Sequence, residues 1–222
     1  GPHVVARFSV RGWNPLLLLW GVVAMLACGV VLEPLMQLVD FDFLPMPDPG
    51  RGGWALMTSV VAAPLFEELL CRGVVLESLR VRSGVLTAWI GSSLFFGVMH
   101  LHPAQSLNAF VLGLLFGFLC LQTRSLWPSL LLHAFNNALA LLMIWAEFPG
   151  ANFVGRPMAE LTLRELIGNG RLYAAVYAAA LLVVAVSGVE MVRRMRRLRA
   201  QERKNAAEAA INPAPDTLNS GK

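Results

Sequence analysis

The chain has 222 residues, of which 56% are hydrophobic and 14% charged, with a net charge of +4 and a mean hydropathy of +0.60. Ordinary globular domains carry about 25% charged residues, and a soluble core of this size cannot hide so much hydrocarbon. A cytosolic enzyme, a disordered chain and a disulfide-stapled secreted module are therefore excluded, and Cys28, Cys71 and Cys120 read as small buried residues inside apolar runs.

Gly1-Pro2 reads as a scar of tag removal, with no signal-peptide pattern behind it. Six apolar stretches then recur, each near the roughly 20 residues that cross a hydrocarbon core of about 30 Å. Backbone groups in lipid must be satisfied within the segment, and no barrel-like alternation is visible, so helices are predicted. The first stretch, Pro15 to Leu38, follows a 1–14 segment with Arg7 and Arg11. Next comes Trp54 to Leu79, which holds Pro64 and Glu67-Glu68-Leu69-Leu70-Cys71-Arg72, with Arg80 and Arg82 just beyond. A short third stretch, Val85 to Leu101, contains Phe96-Gly97-Val98-Met99-His100. Ala104 to Leu121 is followed by Arg124, and Leu126 to Ala146 holds His133-Ala134-Phe135-Asn136-Asn137. The sixth, Leu172 to Val192, runs into the basic cluster from Arg193 to Lys204.

Placing the N-terminus inside gives the cytoplasmic flanks Arg7, Arg11, Arg80, Arg82, Arg124 and the C-terminal cluster. The outer loops keep Arg51, Arg156, Arg164 and Arg171 among several carboxylates. Such an excess of cations belongs to the cytoplasmic side, so both termini are expected there, as in a bacterial inner-membrane protein. The C-terminal cluster reads as an anchor on anionic lipid and not as a nucleic-acid site. The expected organisation is a cytoplasmic segment over 1–14, a transmembrane helix bundle over 15–192 with a motif-bearing core at 54–146, and a basic anchor with a disordered tail over 193–222. The fold class is all-α, and no internal repeat is visible.

Ionisable groups inside such helices cost at least about 2.5–3.5 kcal/mol each unless compensated, so they mark the chemistry. Glu68 and Arg72 are four residues apart on one helical face and can pair. Glu67 points about 100° away, lacks a cation of its own, and suits a general base. Pro64 removes a backbone donor and is expected to kink the helix and open room for water. His133 and Asn137 also lie four apart and present donors of the kind that stabilise an oxyanion. With His100, these groups suffice to hydrolyse an amide by an activated water. Ser59 has no base beside it on its own helix and Cys71 has only a carboxylate neighbour, so a side-chain nucleophile ranks second.

Glu-Glu-x-x-x-Arg, Phe-x-x-x-His and His-x-x-x-Asn, in that order in membrane helices, resemble the CAAX protease and bacteriocin-processing (CPBP/Abi) family of glutamic-type intramembrane endopeptidases. The resemblance covers about Trp54 to Ala146. It implies Glu67 and His100 on the water, His133 and Asn137 at the oxyanion, and Glu68 with Arg72 in support. Its implied substrates are prenylated protein tails, bacteriocin leaders or C-terminal sorting segments, among which the chain does not choose.

The alternatives are a proton-coupled transporter, a non-catalytic binding or immunity protein on the same scaffold, and a zinc mechanism using Glu67, His100 and His133. No His-Glu-x-x-His spacing supports the metal, and a cofactor-free enzyme is expected. Partners are a peptide or protein substrate and the lipid bilayer; oligomeric state is open. One discrepancy stands. A plain six-span map puts Glu67 at mid-membrane, His100 near the outer side and His133 near the inner side. Either the third span is offset, or the segment around Gln122 to Trp127 dips into the protein, or a boundary is wrong.

Overall fold

The computed structural model describes residues 14–39, 49–145 and 161–211, and every regular element among them is helical. Helix α1 is Pro15–Val39, α2 runs over 53–83, α3 is Val85–Val98, α4 is Pro103–Thr123, α5 is Trp127–Trp145, α6 is Leu163–Ile167 and α7 is Gly170–Ile211. The ends follow local chemistry. Gly84, at φ 79°, takes the left-handed turn between α2 and α3 that glycine alone adopts freely. Pro103 opens α4 at a position where its missing N–H costs nothing, so His102 falls in the turn before it.

Four helices, α1, α4, α5 and α7, are long and apolar enough to cross a membrane. The third expected span is shorter than the sequence suggests: α3 ends at Val98, and its 14 residues extend only about 21 Å. Helix α2 has the length to cross but is wound as π-helix over Met57–Ala62 and Leu69–Val75. Large apolar side chains such as Leu16, Trp54, Phe66 and Leu182 are exposed, which in an integral membrane protein is the lipid-facing belt.

Helix α4 is the hub, with 61% of its apolar window buried against 28% for α1 and for α5. It reaches α3 through residues without bulk. A Cβ on Gly97 would lie 2.9 Å from the Ser106 carbonyl oxygen, and one on Gly113 would lie 3.1 Å from the Ser93 Cα. Buried Ser92 and Ser93 return their hydroxyls to the Trp89 carbonyl, and the Trp89 indole donates to Leu114 O at 2.7 Å. Small residues are what allow helix backbones to approach closely where lipid supplies no hydrophobic drive between them.

Two further features depart from the sequence map. Thr123, Ser125 and Leu126 are buried while Arg124 between them is exposed, so the turn between α4 and α5 packs three of its residues inward. The last helix continues past Val192 and through the basic cluster to Ile211, well into the 193–222 stretch expected to end in a disordered tail. Its extension is held to α2 by Arg80, whose Nε donates to Glu202 at 2.7 Å. The expected 1–14 segment, apart from Asn14, and residues 212–222 of the tail lie outside the described residues.

Candidate active site

Helix α2 supplies both carboxylates, and its winding sets where they point. A proline ring clashes with the carbonyl four residues back, here that of Val60, and donates no N–H. The chain answers with a π-turn over Met57–Ala62, in which the Ala63 N–H reaches back to Thr58 O instead of Ser59 O. The distortion expected at Pro64 thus takes the form of π-winding ahead of it.

Glu68 and Arg72 form the expected pair: Arg72 Nη1 lies 2.8 Å from Glu68 Oε1, and both side chains are fully enclosed. An enclosed guanidinium needs more than one partner. Arg72 Nη2 also donates to Gly113 O at 3.2 Å, and its carbon sits 4.5 Å from the Phe96 ring centre and 5.4 Å from that of Phe116. Gly113 thus meets α3 through its missing side chain and the arginine through its carbonyl.

His133, on α5, stands between the two glutamates. Its Nδ1 lies 3.0 Å from Glu68 Oε1 and its Nε2 lies 3.6 Å from Glu67 Oε2. A carboxylate accepts, so Nδ1 carries the proton and Nε2 of the neutral ring is a lone-pair nitrogen aimed at Glu67. Phe116 stacks on this imidazole at 5.1 Å and Phe96 meets it edge-on at 5.4 Å. The Glu67 side chain is 26% exposed, enough to be reached from outside, yet its Oε2 is buried without a hydrogen-bond partner.

His100 follows the end of α3, and its Nδ1 donates to Phe96 O at 2.8 Å, with the two rings edge to face. A carbonyl can only accept, so His100 also keeps an unprotonated Nε2 when neutral. The Asn137 Nδ2 donates to Ser59 O at 2.9 Å, and its Oδ1 accepts from Asn136 Nδ2 at 3.3 Å. His100, His133, Asn136 and Asn137 line one cavity of about 60 Å³, room for about two waters.

Of the six residues singled out in the sequence, Glu68, Arg72 and His133 are thus joined directly, Glu67 stands 3.6 Å from His133, and His100, His133 and Asn137 share the cavity. Among the described residues, no hydrogen bond or ion pair joins Glu67 to His100. Sequence reasoning passed over Asn108 and Gln105, which line the cavity from α4. Extending the search from ionisable to all polar residues within apolar stretches finds both. The zinc alternative asks Glu67, His100 and His133 to converge, and among the described residues no three His, Cys, Asp or Glu side chains are placed to hold a metal ion.

Residues 50–139 match the Rce1-like family, described as Type II CAAX prenyl endopeptidase Rce1-like. A Bacillus subtilis (strain 168) protein described as "Putative membrane peptidase YdiL" is 25% identical over 88 residues, which cover 40% of this chain and 36% of that relative's length. No solved structure matches the chain significantly. The family match spans the first π-turn, all six site residues and the wall of the cavity.

Proposed function

We propose that the protein is an intramembrane endopeptidase that cleaves a membrane-associated peptide or protein through a water activated by Glu67, a reading supported by the match of residues 50–139 to the family described as Type II CAAX prenyl endopeptidase Rce1-like. The observation that carries this reading is the 3.6 Å approach of Glu67 Oε2 to His133 Nε2. The two atoms are too far apart to bond directly, and a water about 2.8 Å from each would bridge them.

The water proton passes to Glu67 as the oxygen adds to the scissile carbonyl carbon. The tetrahedral oxyanion then collapses, the C–N bond breaks, and Glu67 returns the proton to the leaving amine. His133 and His100, each with Nδ1 committed to an acceptor, offer lone pairs that orient water. Asn137 keeps a second amide N–H, which serves as the donor to the oxyanion. This differs in one respect from what the family resemblance implies, because His133, when its ring is neutral, accepts a hydrogen bond at Nε2 and does not give one.

The reading is metal-free and rests on the chain's own acids and bases. Both termini are placed on the cytoplasmic side of a bacterial inner membrane. The cation count between the helices supports this, as does the Arg80–Glu202 pair, which holds the basic ends of α2 and α7 together. The substrate would be found by comparing the membrane proteomes of cells carrying the wild type and Glu67→Gln. A protein left uncut only in the variant supports the proposal, and identical termini throughout would refute it.

A further inference from the structure

The first π-turn leaves one backbone group without a backbone partner. In a regular α-helix Ser59 O would accept from the N–H of residue 63, but the Ala63 N–H goes to Thr58 O. In the π register it would accept from residue 64, and Pro64 has no N–H. The carbonyl is half-buried, and such a group left unbonded costs about 1–3 kcal/mol. What reaches it is the side chain of Asn137, 78 residues later on α5, with Nδ2 2.9 Å away.

We infer that Pro64 is a positioning residue for the active site: by withholding an N–H from Ser59, it makes that carbonyl the clamp that fixes the Asn137 amide at the cavity wall. One amide hydrogen is held by Ser59 and the other is left for the substrate oxyanion. The amide plane is further set by Asn136, which donates to Oδ1. A free asparagine side chain rotates among several orientations, whereas one held at both ends presents its remaining N–H in a single direction. The proline lies in the same helix as Glu67, three residues before it, so one winding defect serves both the base and the oxyanion donor. The effect on turnover rests on the proteolytic reading above; the exchange of hydrogen-bond partners does not.

The test restores the missing donor. In Pro64→Ala, an N–H at residue 64, or a return to α register, satisfies Ser59 O from the backbone and releases Asn137. The full-length protein, ¹⁵N-labelled at asparagine and held in lipid nanodiscs, reports this through the Asn137 side-chain NH₂ signals, assigned by their loss in Asn137→Ala. The expected result is a clear shift of those signals in Pro64→Ala with the thermal midpoint unchanged or raised. Turnover should fall at least tenfold, and Pro64→Ala/Asn137→Ala should be no slower than Asn137→Ala alone. Pro64 is fully buried, so Pro64→Gly restores the same N–H with a different volume and must move the same signals. Unmoved signals in a folded variant overturn the inference, as does the unfolding of both, because a supplied donor should relieve the turn. Shifted signals in a protein that cleaves nothing would uphold the clamp and count against the protease reading instead.

Discussion

Glu68 accepts a hydrogen bond from His133 Nδ1 at 3.0 Å through the same oxygen that Arg72 Nη1 approaches to 2.8 Å. One buried carboxylate oxygen therefore balances a guanidinium and fixes the tautomer of an imidazole from another helix. Removing the cation should be more harmful than removing the pair. Arg72→Met leaves Glu68 enclosed without its counter-charge and is expected to cost about 3–5 kcal/mol, whereas Glu68→Gln/Arg72→Met should recover much of that loss. Denaturation of the three proteins in one detergent compares them, and equal losses in single and double variants would argue against a buried ion pair.

Glu67 is the opposite case. Its Oε2 is buried but accepts no hydrogen bond, so removing the charge relieves a cost and breaks nothing. Glu67→Gln is expected to lower turnover by about 10²–10⁴-fold, the usual worth of a positioned base, with a thermal midpoint at or above that of the wild type. Retained cleavage by the folded variant would remove Glu67 from the chemistry.

His100→Ala tests the second imidazole. Its hydrogen bond to Phe96 O is a helix-end contact worth about 0.5–1.5 kcal/mol, so stability should change little while turnover falls steeply. Parallel losses of midpoint and activity would instead mark His100 as a structural residue of the turn.

The purified enzyme should keep its activity through prolonged dialysis against a strong chelator. Activity lost on chelation and restored by zinc would favour the metal mechanism over the carboxylate one.

Gly97→Ala tests the α3–α4 contact. The added methyl would meet the Ser106 carbonyl oxygen at 2.9 Å, a backbone atom that cannot swing away. The two helices must part, at an expected cost of about 1–3 kcal/mol. His100, three residues on, moves with α3, so activity should fall by more than the loss of folded protein accounts for. A variant as stable and as active as the wild type would mean that the helices pack more loosely than described.

The sequence by itself determined the class of the molecule and the contacts within each helix. Apolar runs of bilayer length dictate a helical membrane protein in any tertiary arrangement, and helical pitch alone brings Glu68 to Arg72 and Phe96 to His100. Those four-residue relationships are legible because they depend only on the backbone of one segment. Which helix met which was decided by the fold. His133 turns to Glu68 and Glu67, and Asn137 to Ser59, because glycines at 97 and 113 let α3 and α4 close, because Thr123, Ser125 and Leu126 pack inward at the turn between α4 and α5, and because two π-turns rotate α2. Each of these depends on how deep one helix sits against another, and a pattern with a period along one chain segment carries no record of depth between segments.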